Sequence, residues 1–214
     1  MNDALTKSSM TEAKLGADRL RDLEAAVRRV FSESNFHDAD MRTIARQAGM
    51  GFNTIYKYFG DKEGLLFYFV RRWQDELADR VREHTDGLSE PSEKLRKVFW
   101  SFLDFYGRNP DVGRILYLTL PMTTWMQNET FSQRDLTETI LGLVREAQAA
   151  GQLRADIPAS LALDVLHGMI HRAFTMGVYR GGTSDLRTKA AGLFDLFWNG
   201  VGVDRSAGPN NRNI

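Results

Sequence analysis

From Asp18 to Asn199 almost every stretch of the 214-residue chain repeats its apolar residues at intervals of three and four. No stretch alternates apolar and polar residues for long enough to make a half-buried strand. A chain patterned in this way buries its apolar stripes by packing helix on helix, so the expected fold is all-α. Apolar residues make up 43% and charged residues 26%, which suits a packed globule and is too apolar for a chain disordered throughout.

Helix punctuation divides that pattern into about nine segments. The first runs from about Asp18 to Ser34, with Leu20, Leu23, Val27, Val30 and Phe31 on one stripe. Asp40 is placed to cap a second, short helix that turns Met41, Ile44, Ala45 and Ala48 inward and stops at Gly49. A third covers Phe52 to Phe59 with Phe52, Ile55 and Phe59 on one side, and Asp61 caps a long fourth that ends at Asp86-Gly87. A fifth opens at Pro91 or Ser92 and a sixth at Pro110. Met122 to Asn128 is expected as an apolar loop. The seventh spans about Thr130 to Ala150, the eighth starts at Pro158 and reaches about Tyr179, and Ser184 is expected to cap a ninth that ends near Asn199. The polar, aperiodic segments 1–17 and 204–214 are expected to be mobile arms.

Several classes of function are excluded at once. Without a cysteine the chain has no disulfide, no thiolate metal site and no cysteine nucleophile. It also has no nucleophile elbow, Walker-type loop or HExxH pair, so an enzyme is not expected. No run of 18 uncharged apolar residues would span a membrane, and the first 30 residues hold no signal-peptide core, so a cytoplasmic protein is expected. The formal net charge of +0 denies the chain a global basic field. Any nucleic-acid surface must therefore be local.

Such a patch exists in DMRTIARQAGMGFNTIYKYFGDKEGL, residues 40–65. Two short helices joined by a tight glycine-containing turn have the form of a helix-turn-helix. Ile44, Ala45, Ala48, Ile55 and Phe59 bury a common side, and the alanines are small enough to let the helices approach. Phe52 apart, the opposite side of the third helix carries Asn53, Thr54, Tyr56, Lys57 and Tyr58, whose amide, hydroxyl and ammonium groups suit base edges and phosphate oxygens. Residues 41–62 contain Arg42, Arg46, Lys57 and Lys62 against the single acid Asp61. The bland alternative, an aromatic helix that is all core, leaves too many aromatics for one face.

The string IARQAGMGFNTIYKYFGDKEGLL resembles the N-terminal signature of the TetR/AcrR family of bacterial transcriptional regulators over about residues 18–70. The resemblance implies a helix-turn-helix DNA-binding domain at 18–64 and a ligand-binding and dimerisation domain at 65–203. It further implies a homodimer on a palindromic DNA operator, released by a small molecule, and a repressor is the expected sense. By this resemblance Tyr56 grips a phosphate, Lys57 and Tyr58 lie at variable contact positions, Lys62 holds the backbone and Arg42 stands where backbone contacts are common. Two positions depart from the pattern. Gly51 replaces the usual serine, and Asn53 replaces a small residue, so that either the helix stands off the backbone or Asn53 reads a base. These departures leave open a second reading, a small-molecule-binding bundle with weak or vestigial DNA binding.

Beyond residue 85 the fifth to eighth helices carry many large apolar groups. For most of them core packing is the first reading, but their number suggests a pocket bounded by Phe102, Tyr106, Tyr117, Trp125, His167 and His171, suited to an apolar, aromatic or acyl effector. His167 and His171 are spaced i,i+4 with Asp164 a turn earlier, a spacing able to hold a metal; no Glu or Cys completes the set, and no metal or cofactor is expected. In the last two helices, near 158–179 and 184–199, Leu161, Val165, Met169, Ala173, Gly177, Leu186, Leu193, Phe194, Phe197 and Trp198 put apolar groups on more than one side. By similarity to the family these helices pair with their twofold mates.

Overall fold

Asp40 illustrates how the chain starts its helices. Its carboxylate accepts the N–H groups of Arg42 at 3.1 Å and Thr43 at 3.0 Å, and the Thr43 hydroxyl at 2.9 Å. The Arg42 N–H, and after it the Thr43 hydroxyl, hold the carboxyl below its ordinary pKa. The computed structural model describes residues 15–131 and 134–203. Ten helices stand among those residues: α1 (Ala17–Glu33), α2 (Met41–Gln47), α3 (Phe52–Phe59), α4 (Lys62–Thr85), α5 (Pro91–Arg108), α6 (Pro110–Arg114), α7 (Met122–Met126), α8 (Arg134–Ala149), α9 (Ala159–Tyr179) and α10 (Ala190–Val201). Among the described residues there is no strand, only an isolated bridge between Leu153 and Gly202. The fold is all-α.

Four boundaries differ from the sequence reading. The expected loop at Met122–Asn128 contains α7, because Trp125 turns inward, buried, and donates its indole N–H to Thr130 Oγ1 at 3.2 Å. Downstream of it, Glu129–Phe131 forms one 3-10 turn and α8 starts at Arg134, later than Thr130. After α6 the helix widens over Ile115–Thr119 into a π turn, closed by the Leu120 N–H on the Ile115 carbonyl at 2.9 Å. The ninth expected helix begins at Ala190 instead of Ser184, after a 3-10 turn at Arg187–Lys189; Leu186 is buried outside any α-helix. Of the expected arms, residues 1–14 and 204–214 lie outside the described residues, while Leu15 is buried and Ala17 already begins α1.

Packing gathers the chain into two compact units. Among the described residues the first joins 15–76 with 109–131, and the second joins 77–108 with 134–203. In the first unit α1 packs on α2, on α6 and on the π turn. Thr119 donates its hydroxyl to the Phe31 carbonyl at 2.7 Å and accepts the Phe36 N–H at 3.2 Å. Arg28 binds Glu24 at 2.8 Å and Asn109 Oδ1 at 3.0 Å, lies over the Trp73 ring, and stands 3.6 Å from Asp111. The second unit is a bundle in which α5 packs on α8, α9 and α10. Its buried centre includes Phe99, whose ring lies 5.9 Å from Phe194 and 5.2 Å from Phe197.

Candidate nucleic-acid interface

The short helix α3 is held by one fully buried residue, Ile55, with half-buried Phe59 at its end. Gly60, at φ 80°, turns the chain, and the Gly64 N–H then bonds Asp61 Oδ1 at 2.7 Å, which caps α4. A side chain at Gly64 would collide with the Phe59 carbonyl oxygen, so the corner that fixes α3 against α4 requires glycine there. At 3.6 residues per turn the exposed residues Phe52, Asn53, Tyr56 and Lys57 fall on one arc. Arg42 and Arg46 on α2 are exposed as well.

Three of the expected readers occupy other settings. Thr54 and Tyr58 are half-buried, beyond the Lys57 edge of the arc. Lys62 donates its ammonium to the His37 carbonyl at 2.9 Å and lies 4.9 Å from the Phe36 ring centroid, so it ties α4 to the turn before α2. Phe52, assigned by spacing to the side of Ile55 and Phe59, is 40% exposed and stacks on Tyr56 with centroids 6.3 Å apart. Eight residues of helix give too few apolar positions for periodicity to decide which edge residue is covered.

The expected pocket residues divide between the two units. Phe102, Tyr106, His167 and His171 belong to the second unit, and Tyr117 and Trp125 to the first. Within the second unit the Phe102 ring lies 5.6 Å from His167 and 6.4 Å from Tyr106, and Tyr106 meets Phe174 at 5.8 Å. Phe102 and Tyr106 are buried, and His171 is half-buried on the same helix as His167. In the first unit Tyr117 is half-buried and Trp125 packs edge-on against Phe131 at 5.4 Å.

Burial pushes the His167 imidazole below its ordinary value, against an opposing pull from Asp164. An unfolded chain, with imidazole near 6.5, then takes up this proton first as pH falls. The stability associated with neutral His167 is complete above about pH 6.5 and is lost as pH drops from there towards the folded value. Thermal unfolding between pH 7.5 and 5.5 is expected to show a falling midpoint, and His167→Phe to flatten the fall. An unchanged slope in the variant would remove His167 from this role.

Unpartnered apolar surface in the second unit lies on α9 and α10. Leu161 is 51% exposed and Leu196 67%. Between the two helices runs a groove of about 780 Å³ lined by Val165, Met169, Arg172, Met176, Gly192 and Leu196, among others. Gly177, Leu186, Phe194 and Phe197, grouped with this face by their spacing, are buried in the protomer instead. Gly177 is where the chain folds back, with the Gly182 N–H on its carbonyl at 3.0 Å.

Known proteins share these features. The family model for bacterial regulatory proteins of the tetR family matches residues 23–69, from within α1 to the first turns of α4. The HTH-type transcriptional regulator HbdR of Aromatoleum sp. (strain CIB) is 31% identical over 111 residues, 52% of this chain and 48% of that protein. The chain thus spans about half the length of this relative. The fatty acid metabolism regulator protein of Bacillus subtilis (strain 168) is 22% identical over 84% of this chain and 93% of its own. The crystal structure of FadR from Bacillus subtilis in complex with stearoyl-CoA superposes with a TM-score of 0.77 at 21% identity, covering 85% of this chain and 99% of that one. Over residues 23–69 the chain is thus similar to the tetR family of bacterial regulatory proteins. The relatives named are a transcriptional regulator of the HTH type and a regulator of fatty acid metabolism.

Proposed function

We propose that the protein is a repressor that binds a palindromic operator as a homodimer and lets go when a mostly apolar effector binds. The observation that carries the reading is the outward arc of α3, where Asn53, Tyr56 and Lys57 are exposed beside Arg42 and Arg46 on α2. Arg42, Tyr56 and Lys57 hold phosphates, Asn53 reads a base edge, and Thr54 and Tyr58 reach the backbone from beyond the Lys57 edge of the arc. Lys62 acts by fixing the turn at His37. The DNA-binding domain is 18–64 and the effector and dimer domain 65–203.

The apolar groove on α9 and α10 pairs with its twofold copy, and the dimer sets the two copies of α3 about 34–36 Å apart, one turn of duplex DNA. Phe102, Tyr106, His167 and His171 line the effector site within the second unit. The similarity to a regulator crystallised with stearoyl-CoA makes long-chain acyl thioesters the first effector class to test. Among the described residues no helix is long and apolar enough to cross a membrane; the protein works in the cytoplasm, where its operator is, and catalyses no reaction.

Selection of bound DNA from a random pool is the test. The purified protein is expected to enrich an inverted repeat with half-sites one helical turn apart, and stearoyl-CoA to release that DNA by the 5- to 150-fold typical of allosteric coupling. Failure to enrich any sequence, with effector binding retained, would favour a small-molecule-binding bundle whose DNA head is vestigial.

A further inference from the structure

Phe52 opens α3 with 40% of its surface exposed, and its ring is backed by Tyr56, itself 59% exposed. The residue before it, Gly51, has no side chain to cover it, and the interior side of the helix is already filled by Ile55. A stacked aromatic pair at the edge of the exposed arc leaves apolar surface in water beside the polar residues Asn53 and Lys57. In the major groove the bases offer one apolar group at their edges, the C5-methyl of thymine, and phenylalanine is among the side chains that pack on it.

We infer that Phe52 is a specificity-determining residue, its ring held by Tyr56 and packed on a thymine methyl in each half-site of the operator. The inference rests on the operator-binding reading above and adds a base identity to it. Asn53, one step along the arc, faces the hydrogen-bonding edge of the neighbouring base pair. Burying one methyl group is worth about fourfold in affinity per half-site, so about fifteenfold over a symmetric pair.

The experiment uses the full-length protein and the operator obtained by selection. Each thymine is replaced in both half-sites by deoxyuridine, which removes the methyl and leaves every hydrogen-bonding group in place. Wild-type protein is expected to lose about fifteenfold at one symmetric position. Phe52→Ala is expected to bind the thymine and uracil operators equally, at the level of wild-type protein on uracil, and Phe52→Leu to keep part of the discrimination. No methyl-sensitive position in the wild-type scan, which needs no variant, would overturn the assignment; so would undiminished discrimination by Phe52→Ala. If the wild-type protein selects no sequence at all, the operator reading fails and takes this role with it, whereas a selected operator without methyl sensitivity removes Phe52 alone.

Discussion

Leu196→Glu is expected to turn the dimer into a monomer and to lower operator affinity by about 10²- to 10⁴-fold, the advantage that a tethered second half-site confers. The residue is 67% exposed and lines the groove between α9 and α10 beside Val165 and Met169. A twofold interface applies one substitution twice at mirrored positions, so two carboxylates would meet in an apolar seam without partners. Leu196 belongs to the second compact unit and α3 to the first. Light scattering should report one chain mass instead of two, with circular dichroism unchanged. A variant that stays dimeric, or a monomer that binds the operator at full strength, would show that this groove is not the pairing surface.

The second large effect is on salt dependence. Arg42, Arg46 and Lys57 are exposed on the α2–α3 surface, whereas Lys62 is engaged with the His37 carbonyl. Six phosphate-reaching bases per dimer give a slope of log affinity against log salt of about −5, so affinity should fall about 10³-fold between 50 and 200 mM salt. Lys57→Ala should make the slope shallower by about 2 for the dimer, and Lys62→Met should leave it unchanged while lowering the thermal midpoint. A slope that responds to Lys62 and ignores Lys57 would reverse the two assignments.

How far the sequence reached can be followed residue by residue. Capping and turn chemistry are local, and they located Asp40, Gly49, Gly60 and Asp61 at the ends of α2, α3 and α4 with α3 at Phe52–Phe59. The buried set Ile44, Ala45, Ala48 and Ile55 also follows from spacing alone. Distant pairings do not. Nothing in the order of residues announces that Arg28 will hold Asn109, 81 positions away, or that Lys62 will reach back to His37. Both bonds depend on where the helices pack, and both take a cation that charge counting alone assigns to solvent or to DNA.

The same distinction explains the rest of the differences. Met122–Met126 is helical because Trp125 has a hydrogen-bond partner at Thr130, a contact that an apolar heptapeptide cannot reveal. Gly177 and Phe194 share helices with the exposed stripe yet lie in the protomer, since α10 meets α5 through Phe99 and α9 is closed at its end by the turn at Gly182. Phe52 is the reverse: a residue type that belongs in a core stands first in an eight-residue helix, with no preceding turn to cover it.

The most direct test of the central claim, that the α3 arc docks in the major groove, is dimethyl sulfate protection on the selected operator. The reagent methylates guanine N7 in the major groove and adenine N3 in the minor groove, so one experiment reports both. Guanines protected in two clusters about one helical turn apart, with adenines unprotected and the pattern lost on Lys57→Ala plus Tyr56→Ala, is the expected result. Protection confined to adenine N3, or guanine protection that survives the double substitution, would contradict it.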